Sequence, residues 1–275
     1  MPEPAGQGRN HSIELVRILG AVGVVWFHLS LPGAGAAFAA LHVFVILAIW
    51  FGSGAPTTQH LWRLMLPWAI WSLVYGAAKL AQAVIAGTPI GAEFAPYMAL
   101  TGLSLHLWFL PFTFGALLLA GRCHPPAPWL PPLLMALVLV VMRLGPYPAP
   151  FAQWAHVLPA AVLGLWMSGQ TGPLRPVAIT FCLATALWQL GFGRGIEQTA
   201  LAAGICLIAV WRPIGATPLT TCLAPLAFGV YLAHPLVIAA LMAAGLSNPW
   251  GLLALTLPLS ALVAAFVRRY LPIAA

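Results

Sequence analysis

Acidic side chains are almost missing from this 275-residue chain. There are four, all glutamate (Glu3, Glu14, Glu93 and Glu197), and charged residues of both signs make up only 5% of the sequence. A soluble domain carries roughly a quarter charged residues, so soluble architectures are excluded. The shortage also removes whole classes of chemistry. A Ser-His-Asp triad needs a buried acid, and an ion-coupled pump shows carboxylates in the middle of its spans; neither has its raw material here. Cysteine is equally uninformative as a scaffold. Cys123, Cys182, Cys206 and Cys222 form no CxxC pair and no zinc spacing, which argues against a disulfide framework and against a metal site. There is no HExxH motif and no GxxxxGK loop, so zinc hydrolysis and nucleotide binding lose their usual signatures. The net charge of +7 is spread along the chain, with no basic run longer than Arg268-Arg269. That is not the clustered footprint of a nucleic-acid binder, and no nucleic-acid partner is expected.

What is abundant is apolar sequence, at 62% of residues. A membrane-spanning helix needs about 20 mostly apolar residues. Ten such segments can be drawn, at roughly 13–31, 36–54, 62–86, 104–121, 129–145, 150–168, 174–190, 197–213, 219–246 and 250–270. Proline and glycine punctuate the joints, and no long polar loop interrupts the series. The expectation is an all-α, polytopic membrane helix bundle of about ten transmembrane helices. It forms a single membrane-embedded domain over residues 1–275, with 1–12 as a short cytoplasmic tail.

Basic residues give an independent test of that count, because they concentrate on the cytoplasmic side. With the N-terminus inside, the inner ends carry Arg9, Arg17, Arg63, Arg122, Arg175, Arg212, Arg268 and Arg269, and the outer ends carry Lys79, Arg143 and Arg194. Eight against three favours an N-in, C-in chain in the cell inner (plasma) membrane. Reading the first segment as a signal peptide cleaved near Ala37-Phe38-Ala39 fits less well, because the chain runs straight on into another span.

Ionisable residues inside a span are costly and are functional candidates by default. The first segment, IELVRILGAVGVVWFHLS (13–30), holds three: Glu14, Arg17 and His28. Eleven residues separate Arg17 from His28, which is three turns plus about 20°, so they share a face ~16 Å apart along the axis. Glu14 lies three residues before Arg17, where opposite charges pair. Each residue alone also has a structural reading: Arg17 as a side chain snorkelling to the headgroups, His28 as an interhelical hydrogen-bonder. Together on one face they favour a site. Further histidines sit in comparable places. His106 opens the fourth segment beside Trp108, expected in the outer aromatic belt. His234 lies mid-span and is followed by Pro235, which frees a backbone carbonyl. His42 and His156 read as mainly structural. An Arg fork suits phosphate, and a neutral imidazole suits general-base work or acyl transfer. A donor with phosphates at one end and a reactive group ~16 Å away fits such a helix; acyl-coenzyme A is one.

The same residues carry a resemblance. The Arg-ten residues-His pattern of Arg17 and His28 after the acidic Glu14 is similar to the first-helix signature of the acyltransferase-3 family of integral membrane acyltransferases. WRLMLPWAIWSLVYG (62–76), with Arg63, Pro67 and Trp71 spaced by four, resembles its third-helix start. HLWFLPF (106–112) and GVYLAHPLVI (229–238) resemble two further motifs, in the family's order. Departures are Glu14 where the family usually shows Asp, Leu15 where Gly follows, and Ala48-Ile49 where the second helix usually carries Ser-Gly. The resemblance implies an O-acyltransferase that takes an acyl group, often acetyl, from cytoplasmic acyl-coenzyme A. It implies transfer to a hydroxyl of a glycan or other cell-envelope acceptor, as in polysaccharide O-acetylation, with no permanently bound cofactor. It implies that His28 is catalytic, that Glu14 orients Arg17, and that Arg17 binds the donor. His234, His106, Trp108 and Arg63 are then secondary or substrate-site residues. A transporter or flippase for a glycan or lipid, and a non-catalytic relative, are the alternatives at this point.

Overall fold

The structure is a computed structural model that describes residues 10–170, 172, 174–191 and 195–272. Arg9, Arg194 and most of the expected 1–12 tail therefore lie outside the described residues, as does Glu3. Among the described residues every element is helical and none is a strand. Each of the ten apolar segments coincides with a helix or a helical run. We label these α1 (His11–His28), α2 (Ala34–Gly52), α3 (Thr57–Ala86), α4 (Leu105–Arg122), α5 (Leu130–Leu144), α6 (Phe151–Ser168), α7 (Leu174–Gln189), α8 (Ile196–Trp211), α9 (Pro218–Ala243) and α10 (Pro249–Tyr270). Five of them, α2, α3, α4, α9 and α10, are long and apolar enough to cross a membrane. The chain is a membrane protein on that ground.

Local chemistry accounts for the boundaries. The side chain of Asn10 accepts a hydrogen bond from the Ser12 amide at 3.0 Å, so α1 begins at His11 rather than after residue 12, satisfying one of the orphan donors of a helix start. Asn248 does the same for α10 through the amides of Trp250 and Gly251. In α3 the stretch Leu61–Met65 is π-helical. Pro67 follows it and has no N–H to give to the carbonyl of Arg63 four residues earlier, so the helix widens there. That helical run begins at Thr57, five residues before the expected start at 62, because Pro56 supplies an extended residue from which the first turn can start.

The core centres on α2. It packs against α1, α4, α6 and α8, and most of its residues from Ala39 to Ile49 are buried. A helix surrounded in this way has no polar face to show, which is why its sequence is apolar all round. The α2–α6 approach is very close: a Cβ placed on Gly164 would stand 2.8 Å from the carbonyl oxygen of Ile46. Gly229 lets α9 meet α10 in the same way, its absent Cβ falling 2.5 Å from that of Ala264. Small residues at helix crossings are the usual route to tight packing when lipid offers no hydrophobic incentive. α1 lies against α2, α8, α9 and α10, so its polar residues face the interior of the bundle as well as its opening.

A histidine cluster at one end of the bundle and an ion pair at the other

α1 is unbroken from His11 to His28, so Arg17 and His28 stay three turns apart on one face. At the near end Arg17 Nη1 donates to Glu14 Oε2 at 3.0 Å. The side chain of Arg17 is 34% exposed and that of Glu14 10%, which leaves the guanidinium open to a further anion. Neighbouring backbone closes round this end: Ser12 Oγ donates to the carbonyl of Arg212 at 2.7 Å and accepts from the amide of Ile214 at 2.9 Å.

At the far end three imidazoles gather from three parts of the chain. His28 ends α1 and is exposed, whereas His234 of α9 and His106 at the start of α4 are buried. The ring centroids of His28 and His234 are 4.8 Å apart, and those of His106 and His234 are 5.8 Å apart. The arrangement is an accessible imidazole backed by two that solvent does not reach.

The support for this cluster starts from Pro235. Without an N–H it cannot bond the carbonyl of Tyr231, four residues back. His234 takes up that carbonyl: its Nδ1 stands 2.8 Å from Tyr231 O and 3.2 Å from Val230 O. The Tyr231 hydroxyl in turn donates to the carbonyl of His106, tying α9 to the start of α4. His106 Nδ1 shares a hydrogen bond with Ser104 Oγ at 2.9 Å. Tyr75 of α3 closes the far side, its ring 4.7 Å from that of His106 and its hydroxyl donating to Leu232 O at 2.8 Å. Among the described residues neither His106 Nε2 nor His234 Nε2 has a hydrogen-bond partner, although burying such an atom unpaired costs about 1–3 kcal/mol. No three His, Cys, Asp or Glu side chains among the described residues are placed to hold a metal ion.

A second histidine pair lies on the other side of α1. His42 and His156 have ring centroids 5.2 Å apart, with Phe38 packed on both. Phe27 continues the aromatic contact from Phe38 to His28, at 4.6 and 5.5 Å. His42 is fully buried and its Nδ1 lies 3.2 Å from Thr199 Oγ1. Beside this pair opens a pocket of about 710 Å³ whose lining includes Phe27, Phe38, Tyr147, Gln153, His156 and Gln198.

The structure thus brings together His28, His106 and His234, and separately Glu14 and Arg17. It does not bring Trp108 or Arg63 into the histidine cluster. Trp108 is buried and packs on Phe109 and Phe112; it is a core residue, not a member of an aromatic belt. It follows His106 in a short 3₁₀ turn and so points away from it. Arg63 is exposed on the π-helical turn of α3, twelve residues and ~18 Å of helix from Tyr75, where that helix meets the cluster. Sequence reasoning passed over Tyr75, Tyr231, Ser104 and the pairing of His42 with His156. Tyr231 alone had a local signal, since it stands four residues before Pro235.

An all-helical membrane protein with an accessible histidine at one end of a helix and an ion pair at the other is the class that fold and site define. Comparison with family models, with curated proteins and with solved structures finds no match to this chain.

Proposed function

We propose that the chain is a membrane O-acyltransferase that moves an acyl group, acetyl in the first instance, from cytoplasmic acyl-coenzyme A to a hydroxyl of a glycan or other cell-envelope acceptor. The reading takes the ten helices as ten spans of the inner membrane with both termini inside. The observation that supports it is the layout of α1: Arg17 and Glu14 near its start, His28 at its end, with ~16 Å of continuous helix between them. A guanidinium held by a carboxylate is a fork for phosphate. A pantetheine arm extended along the helix carries the thioester from that fork towards His28.

The chemistry then needs one base. The acceptor hydroxyl attacks the thioester carbonyl, the new O–C bond forms and the C–S bond breaks. The acceptor proton passes to His28 and from it to the departing sulfur, leaving an ester and free coenzyme A. His28 suits this role because it is the exposed imidazole of the three. His106 and His234 are the secondary residues behind it. Trp108 packs in the core beside the cluster, and Arg63, exposed on α3 and away from the histidines, has no place in the base chemistry at His28.

The test is incubation of the purified protein with labelled acetyl-coenzyme A and an envelope extract, with and without His28→Ala. Transfer lost in the variant, with membrane insertion unchanged, is the expected result. Full transfer by His28→Ala overturns the catalytic role, and transport of a glycan without any acyl donor overturns the reading as a whole.

A further inference from the structure

Among the described residues no carboxylate is paired with His28, and Glu14, fourteen residues back along the same helix, is engaged with Arg17. A histidine base works from a defined tautomer, and that tautomer is set by whatever accepts the hydrogen of its other nitrogen. The cluster offers one such acceptor, and the backbone determines its character.

His234 Nδ1 lies within hydrogen-bond distance of two carbonyl oxygens, Tyr231 O at 2.8 Å and Val230 O at 3.2 Å. Carbonyls only accept, so Nδ1 carries the hydrogen. In the neutral ring Nε2 is then a bare lone pair. That atom is buried and has no hydrogen-bond partner among the described residues. The nearest histidine ring is that of His28, with centroids 4.8 Å apart and planes tilted by 59°. His106 lies farther off at 5.8 Å, and its own Nδ1 is engaged with Ser104.

We propose that His234 is a positioning residue whose Nε2 lone pair accepts the ring N–H of His28, so that a neutral histidine does for His28 what a carboxylate does in a triad. A small side-chain rotation of His28 makes the bond. It satisfies the stranded lone pair and leaves the other His28 nitrogen unprotonated towards the opening of the site. Pro235 belongs to the device: by lacking an N–H it leaves Tyr231 O for His234, and that contact decides which His234 nitrogen carries the hydrogen. The pairing stands on geometry alone; the use of His28 as the transfer base rests on the acyltransferase reading.

The test separates the two. Full-length protein in detergent is treated with diethyl pyrocarbonate at one fixed pH, and the rate of His28 modification is read by peptide mass spectrometry; this needs no acyl donor or acceptor. Three variants are compared with the parent. His234→Leu removes the acceptor. His234→Gln puts an amide oxygen near the position of Nε2. His234→Asn carries its oxygen too short to reach it. The expected result is a loss of about tenfold in the His28 labelling rate for Leu and Asn, with Gln recovering most of it. If Leu fails to fold, the Asn–Gln pair alone decides, because both are polar amides. Equal labelling of His28 in parent, Asn and Gln overturns the pairing, as does equal slowing in Asn and Gln. In the transfer assay His234→Leu and His234→Asn lower kcat, His234→Gln recovers most of it, and all three leave the KM for acetyl-coenzyme A unchanged. Slowed labelling in a protein with no transfer activity at all leaves the pairing in place and removes the acyltransferase reading instead.

Discussion

Replacing Pro235 by alanine separates stability from function with a single atom group. Proline inside a helix costs about 3 kcal/mol relative to alanine. Here part of that cost is already offset, since the carbonyl it strands, Tyr231 O, is bonded by His234 Nδ1 at 2.8 Å, a contact worth about 1 kcal/mol. Pro235→Ala is therefore expected to stabilise the protein by roughly 2 kcal/mol, seen as a rise in the thermal midpoint in detergent. The new amide N–H competes with His234 for Tyr231 O. His234 loses its fixed orientation, and acyl transfer is expected to fall about tenfold, equivalent to ~1.4 kcal/mol in the barrier. Opposite signs in the two measurements are the signature. A variant that gains stability and keeps full transfer shows that the stranded carbonyl does not matter to the site. One that loses stability shows that the helix is not strained at Pro235 in the way described.

Other expectations follow from other parts of the molecule. Gly164→Val forces side-chain atoms into the backbone of Ile46, 2.8 Å from where the Cβ falls, and is expected to cost about 1–3 kcal/mol by overpacking, read as a lowered thermal midpoint. Arg17→Lys keeps the charge and loses the fork; the KM for acetyl-coenzyme A should rise severalfold with kcat little changed, and an unaltered KM removes Arg17 from donor binding. Orientation can be read with a membrane-impermeant maleimide in a background lacking the four native cysteines. Arg143→Cys should label on intact cells and Arg212→Cys only after permeabilisation, and the reverse pattern inverts the topology.

The helices were legible because long apolar runs with Pro and Gly at their joints announce themselves. All ten segments coincide with helices or helical runs, five of them long and apolar enough to cross a membrane. The interior of α1 was legible for the same reason: a charged pair at i and i+3 and a histidine eleven residues on are regularities within one helix. What lay between helices was not. Nothing in the sequence aligned His42 with His156, since their pairing depends on how α2 and α6 cross at Gly164. Tyr75 was invisible as an anchor, because a tyrosine in an apolar run looks like any other core aromatic until its hydroxyl finds a carbonyl; Tyr231 was marked only by its place four residues before Pro235. Trp108 misled in the opposite direction. Its place near a span end suggested an interface, whereas the 3₁₀ turn that carries it directs its ring onto Phe112.

The central place of α2 has a consequence for how the protein is made. α2 precedes its neighbours α4, α6 and α8 in the chain, so they leave the ribosome after it. His42 must wait for Thr199, 157 residues downstream, and at 5–20 residues per second that delay is about 8–30 s. For that interval His42 can meet Phe38 and, once α6 has emerged, His156, but its Nδ1 lacks the hydroxyl it finds in the finished bundle. The N-terminal helices are thus held half-finished until α8 arrives, and a chain interrupted before α8 leaves this histidine without the hydroxyl it bonds in the finished bundle.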